Sequence, residues 1–76
     1  MTWNHRVVRF RDDEMGEYYE IKEVFYDKEG GLSGYSEATV MSDTFTGLGR
    51  QLKWMKTATA KPVIDISEFD KPKTAP

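Results

Sequence analysis

Apolar and polar positions change period partway along this 76-residue chain. Residues 3–11, WNHRVVRFR, place two adjacent valines and Phe10 among cations and run into the loop-like DDEMG, a strand composition closed by a turn signal. Residues 17–26, EYYEIKEVFY, alternate in two registers. Tyr19, Ile21, Glu23 and Phe25 point one way, and Tyr18, Glu20, Lys22, Val24 and Tyr26 the other. The first set is the more apolar and is predicted to face the core. After DKEGG, the run LSGYSEATVM reads as a third strand, weakened by Gly34. Short polar turns between consecutive strands predict an antiparallel meander.

The period then switches. Phe45, Leu48, Leu52, Met55 and Thr59 recur at spacings of 3 and 4, one stripe of a helix. Ser42, Asp43 and Thr44 precede it as N-cap candidates, because a side-chain oxygen there can accept from an unpaired first-turn N–H. Lys53, Lys56 and Lys61 lie toward the other end, where they complement the helix dipole, and Pro62 limits continuation. Gly47 and Gly49 each weaken the helix by about 1 kcal/mol relative to alanine, so docking must support it. VIDI, residues 63–66, can form a short fourth strand or an extended arm over the sheet. The predicted fold class is α+β: a three-stranded antiparallel β-meander with one α-helix packed on one face, order β-β-β-α with a short C-terminal strand as an option. Residues 1–69 are read as a single domain and residues 70–76, proline- and charge-rich, as a disordered tail.

Size and composition narrow this picture. A domain near this length hides only about 60% of its unfolded surface, which leaves little core for a buried active site. With no cysteine, disulfides and thiolate metal sites are out, and a reducing cytoplasm is the expected setting. The N-terminus lacks the apolar run of a signal peptide, and no stretch approaches a membrane span, so a soluble protein without membrane contact is expected. The net charge of −2 is unevenly spread. Residues 1–11 carry three arginines and no acid, residues 12–43 carry ten acids against two bases, and residues 44–61 carry four bases and no acid. Opposite charges meeting across neighbouring elements are the simplest use of that pattern.

DKEGG looks at first like a ligand loop. Counted from Asp27, a calcium loop would need an oxygen ligand at its fifth and twelfth places, where Gly31 and Ala38 stand. The glycines lead into Leu32 and Ser33 rather than a Gly-Lys-Ser/Thr step, so no phosphate cradle is built either. A hairpin turn is the reading, the glycines supplying positive φ. His5 is the only histidine, with no second one for zinc or a relay, and reads as a polar residue on an edge strand. Asp12, Asp13 and Glu14 read as a solvated loop. The strand aromatics Tyr18, Tyr19, Phe25, Tyr26 and Tyr35 lie in the acidic block, which repels a phosphate backbone, so packing is their expected role. No catalytic residue, cofactor or metal is indicated.

Trp54 falls off the main helical stripe, near Gly47, Gln51 and Ala58. Two readings stand: the indole folds over the helix edge onto the sheet or residues 63–66, or it centres a partner surface of Trp54, Gln51, Gly47, Ala58 and Arg50 that takes another protein or a second copy. A third possibility is nucleic-acid contact through Arg6, Arg9, Arg11, Arg50, Lys53 and Lys56, with steep salt dependence.

The segments WNHRVVR, EYYEIKEVFYD and KPVID resemble a group of small proteins of bacterial or phage origin that share a WNHRVV start, an EV-[FY]-YD run, a glycine turn, a helix and a KPV-[IL]-D ending. That resemblance covers most of residues 3–66 and implies no activity. It departs at the helix entry, DTFTGLGRQL, where those proteins tend toward an acidic opening. A non-catalytic protein-interaction or regulatory module is the expected function.

Overall fold

A computed structural model describes residues 2–69. Strands β1 (Thr2–Asp12), β2 (Gly16–Tyr26) and β3 (Leu32–Glu37) are followed by helix α1 (Phe45–Lys56), a 3-10 turn (Thr57–Ala60), the two-residue strand β4 (Ile64–Asp65) and a second 3-10 turn (Ile66–Phe69). The three antiparallel strands and single helix are as the pattern predicts, except that the third strand stops at Glu37 instead of running on to Met41. The fourth strand forms too, but it pairs parallel to β1, giving a mixed sheet of order β3-β2-β1-β4. The expectation for residues 70–76 lies outside the described residues.

Both hairpin turns are closed by an aspartate. Asp12 Oδ1 accepts from the N–H groups of Glu14 (2.7 Å) and Met15 (3.2 Å), and Gly16 takes φ 77° where the chain re-enters the sheet. In DKEGG, Asp27 Oδ1 accepts from Glu29 N–H and Gly31 N–H, and the backbones of Asp27 and Gly31 pair at 2.9 Å. Gly30 carries the positive φ of 83° that a side chain would strain. The segment is the predicted turn, and Asp27 is the residue that shapes it.

Residues opposite one another in an antiparallel pair share a face. One face therefore carries Asn4, Arg6, Val8 and Phe10 beside Tyr18, Lys22, Val24 and Tyr26, and the other carries Trp3, His5, Val7, Arg9 and Arg11 beside Tyr19, Ile21, Glu23 and Phe25. The first is the more deeply covered: Val8, Val24 and Ile64 form the buried cluster, with Phe10, Tyr26, Leu32, Ile66 and Phe69 packed around it. This reverses the expectation for β2, whose Tyr19 is 56% exposed while Lys22 and Val24 are buried. The reason is that the C-terminal segment, rather than the helix, closes the core. Ile64 enters beside Val8, and the following turn brings Phe69 to 5.0 Å from Tyr35.

The helix meets the opposite face near its C-terminal end. Thr44 caps it, its Oγ1 accepting from Gly47 N–H at 2.9 Å with the backbone extended at φ −132°. Its buried residues are Met55 and, in the following turn, Ala58, with Leu48 and Gln51 half-buried in line with them. That inner face lies between the two stripes read from the sequence. Phe45 (92% exposed) and Leu52 are left outside one border, and Trp54 sits at the other.

Candidate functional site

Three arrangements gather the polar and aromatic side chains that carry chemistry. In the first, His5 is buried and its imidazole forms a triangle of rings with two indoles. The ring lies 4.7 Å from Trp54 and 5.4 Å from Trp3, edge-to-face in both cases, and the indoles are 5.3 Å apart. Neither His5 nitrogen has a hydrogen-bond partner. The expectation of an edge position was wrong, because β4 and the helix end turn β1 into an interior strand. Of the two readings for Trp54, the indole does fold onto the sheet, against Trp3 and His5, while 48% of its surface stays exposed.

The second arrangement is the charge set of β1, which falls on two faces. Arg6 donates to Tyr26 Oη (3.0 Å) and to the Pro62 carbonyl (2.7 Å), and Tyr26 in turn donates to Asn4 Oδ1. On the opposite face, Arg9 Nε and Arg11 Nη2 both reach Asp65 Oδ1, at 2.9 and 2.8 Å. Hydrogen bonds from Arg11, Ser67 and Arg9 hold the Asp65 carboxyl well below the usual carboxylate range. Arg6, Arg9 and Arg11 thus pin the C-terminal segment to the first strand, Arg6 on one face and Arg9 and Arg11 on the other, while Lys53 and Lys56 are exposed on α1.

In the third, Lys22 is buried on the core face, its Nζ 2.7 Å from Glu20 and 2.6 Å from Glu37 and lying over the rings of Phe10 and Tyr35. Those carboxylates raise its pKa against the opposing effect of burial. Phe10 stacks on Tyr18 at 5.4 Å and meets Tyr35 edge-to-face at 5.7 Å, so Tyr18, Phe10 and Tyr35 form a packed row, while Tyr19 and Phe25 lie on the other face.

The helix residues read as a partner set are divided. Ala58 is fully buried and cannot face a partner; Gln51 is half-buried on the same inner side. Gly47 is small for an internal reason, since an added Cβ would run into Ser42 Oγ and Thr44 Oγ1, the capping side chains. Arg50 and Trp54 remain exposed. Outward-facing apolar surface lies instead at Phe45 (92%) and Leu52 (53%), with Met41 (72%) and Val40 (40%) exposed on the approach to the helix. The sequence assigned Phe45 and Leu52 to the core because they share its spacing. The signal that argued otherwise was the absence of any second apolar layer large enough to cover the whole helix.

Among the described residues, no group of three or more His, Cys, Asp or Glu side chains is placed to hold a metal ion, and no helix is long and apolar enough to cross a membrane. In comparison with known proteins, the chain matches no family, no curated protein and no solved structure.

Proposed function

We propose that this protein is a non-catalytic interaction module whose outer helix face, Phe45 and Leu52 with Arg50, Lys53 and Lys56 around them, docks an acidic segment of another protein. The observation that carries this reading is Phe45: a phenylalanine 92% exposed at the first position of a capped helix. Burying such a ring is worth about 2 kcal/mol, and the domain itself leaves that free energy unused. Charge selects the partner. The helix carries three cations and no acid, so a second copy would set like charges against each other, whereas an acidic amphipathic segment meets both the rings and the cations. A chain without cysteine fits a reducing compartment such as the cytoplasm.

A photo-crosslinking amino acid at position 45, with the same group at position 28 in the far turn as control, tests the reading in the cell of origin. The expected result is one protein adduct from position 45, mapped to an acidic segment and lost in the Lys53→Glu, Lys56→Glu variant. Adducts to the chain itself, adducts to nucleic acid, or equal labelling from both positions would overturn it.

A further inference from the structure

Strand β2 runs over Gly16–Tyr26, but β3 pairs only with its second half, from Lys22 to Tyr26. Among the described residues, the sheet beside residues 16–21 has β1 on one side and no strand on the other. The chain leaves β3 at Glu37, and residues 38–44 do not fill the gap. Among the described residues, backbone hydrogen bonds outside the strands and helices lie in the 27–31 turn, at the start of α1 and at Lys61, and no side chain bonds the backbone of residues 16–21. In an antiparallel pair, alternate residues turn N–H and C=O away from the partner strand. Residues 16–21 therefore present an open row of backbone donors and acceptors about 20 Å long, in line with β3 and ending against it.

The edge is selective. Glu17 and Glu20 are exposed along it, one on each face and Glu20 while also meeting Lys22, so a second copy pairing through the same edge would bring two carboxylates together on each face. The other edge of the same residues shows what composition β2 accepts. There β1 sets Val7 opposite Ile21, Val8 opposite Glu20, Arg9 opposite Tyr19, Phe10 opposite Tyr18 and Arg11 opposite Glu17, a mixture of apolar and basic residues with no acid. Tyr19, 56% exposed on one face, and Tyr18, stacked on Phe10 on the other, offer rings to the side chains of an incoming strand.

We infer that the open edge of β2 at residues 16–21 is a second docking site, which takes an extended peptide of mixed basic and apolar residues as an added strand. It is independent of the helix face, lies on a different element and asks for the opposite charge. The main chain provides attachment, Glu17 and Glu20 select basic side chains, and the tyrosines take the apolar ones.

The test uses the full chain labelled with nitrogen-15 and a blocked synthetic peptide, RVVRFR, with EVVEFE as its charge-reversed control. Amide signals and amide hydrogen exchange are followed at low salt. Alternate amides within residues 17–21 should exchange fast in the free protein and at least tenfold more slowly with RVVRFR, with no change from EVVEFE. The Glu17→Lys, Glu20→Lys variant should weaken binding at least tenfold, and Glu17→Gln, Glu20→Gln, which keeps the side-chain shape, should weaken it in the same direction. Slow exchange of all these amides in the free protein would overturn the inference. So would signal changes confined to α1, displacement of β1 by the peptide, or concentration-dependent protection without peptide, which would mean self-pairing.

Discussion

The indole of Trp54 meets the imidazole of His5 edge-to-face at 4.7 Å and 89°, and this contact joins the helix end to the centre of β1. Truncating Trp54 to alanine should keep the fold but lower its stability by about 1–3 kcal/mol, the range for losing partly buried aromatic packing. Urea unfolding followed through the remaining Trp3 checks this. A midpoint equal to that of the parent chain would mean that the indole rests on the sheet without holding the helix to it.

Phe45 behaves differently. Its ring has almost no cover, so Phe45→Ser should leave stability within about 0.5 kcal/mol of the parent while abolishing the adduct formed when the photo-crosslinking amino acid is placed at the neighbouring exposed position 49 instead. Contrasting these two variants separates loss of partner through unfolding from loss of the docking surface.

The two helix glycines should respond in opposite directions to alanine. Nothing stands within 4 Å of a Cβ added at Gly49, so Gly49→Ala should stabilise by up to about 1 kcal/mol through helix propensity. At Gly47 the same methyl displaces Ser42 and the capping Thr44, and the lost cap, about 1 kcal/mol, offsets or exceeds the gain. Thermal unfolding of both variants side by side decides it: only Gly49→Ala should melt higher.

Asp65 predicts an acid dependence. Its carboxyl is held below the usual range by Arg11, Ser67 and Arg9, so its contribution is complete above the unfolded pKa and is lost as pH falls through the folded one. The gap in urea midpoint between the parent and Asp65→Asn should be constant from about pH 6 to 8 and shrink below about pH 4. An identical gap at pH 3 and pH 7 would show that the pairing makes no difference to folding.

Lys22 is buried, yet its two carboxylate partners are not: Glu20 is 44% exposed and Glu37 85%. Lys22→Met should therefore cost less than about 1 kcal/mol, because both acids regain water instead of being stranded in the core. Because the Lys22 pKa is raised, its stabilising share is present below the ordinary lysine pKa and fades as pH rises through the raised one. The parent should lose stability in that alkaline range relative to the methionine variant.

Local signals in this sequence speak clearly. The two hairpin turns, the Thr44 cap and the alternation in β2 each depend on a few adjacent residues, and each is found where the pattern places it. The orientation of β2 was not legible. Its two faces differ little in apolarity, and the choice between them is made by Ile64, Ile66 and Phe69, far away in the chain. The same distance hid the parallel pairing of β4 and the burial of His5, on which Trp54 packs from the far end of the helix. The open edge at residues 16–21 shows only in the register, since it depends on where β3 stops.

The parallel pairing of β4 with β1 also bears on the order of events during synthesis. Arg9 and Asp65 stand 56 residues apart, and β4 carries Ile64 into the cluster that Val8 and Val24 begin. A nascent chain that has exposed only its three-stranded meander holds Val8 and Val24 under no lid, so folding must wait for residues near the opposite end of the domain. Until they emerge, the half-made sheet is the form in which a ribosome-bound chaperone would meet this protein.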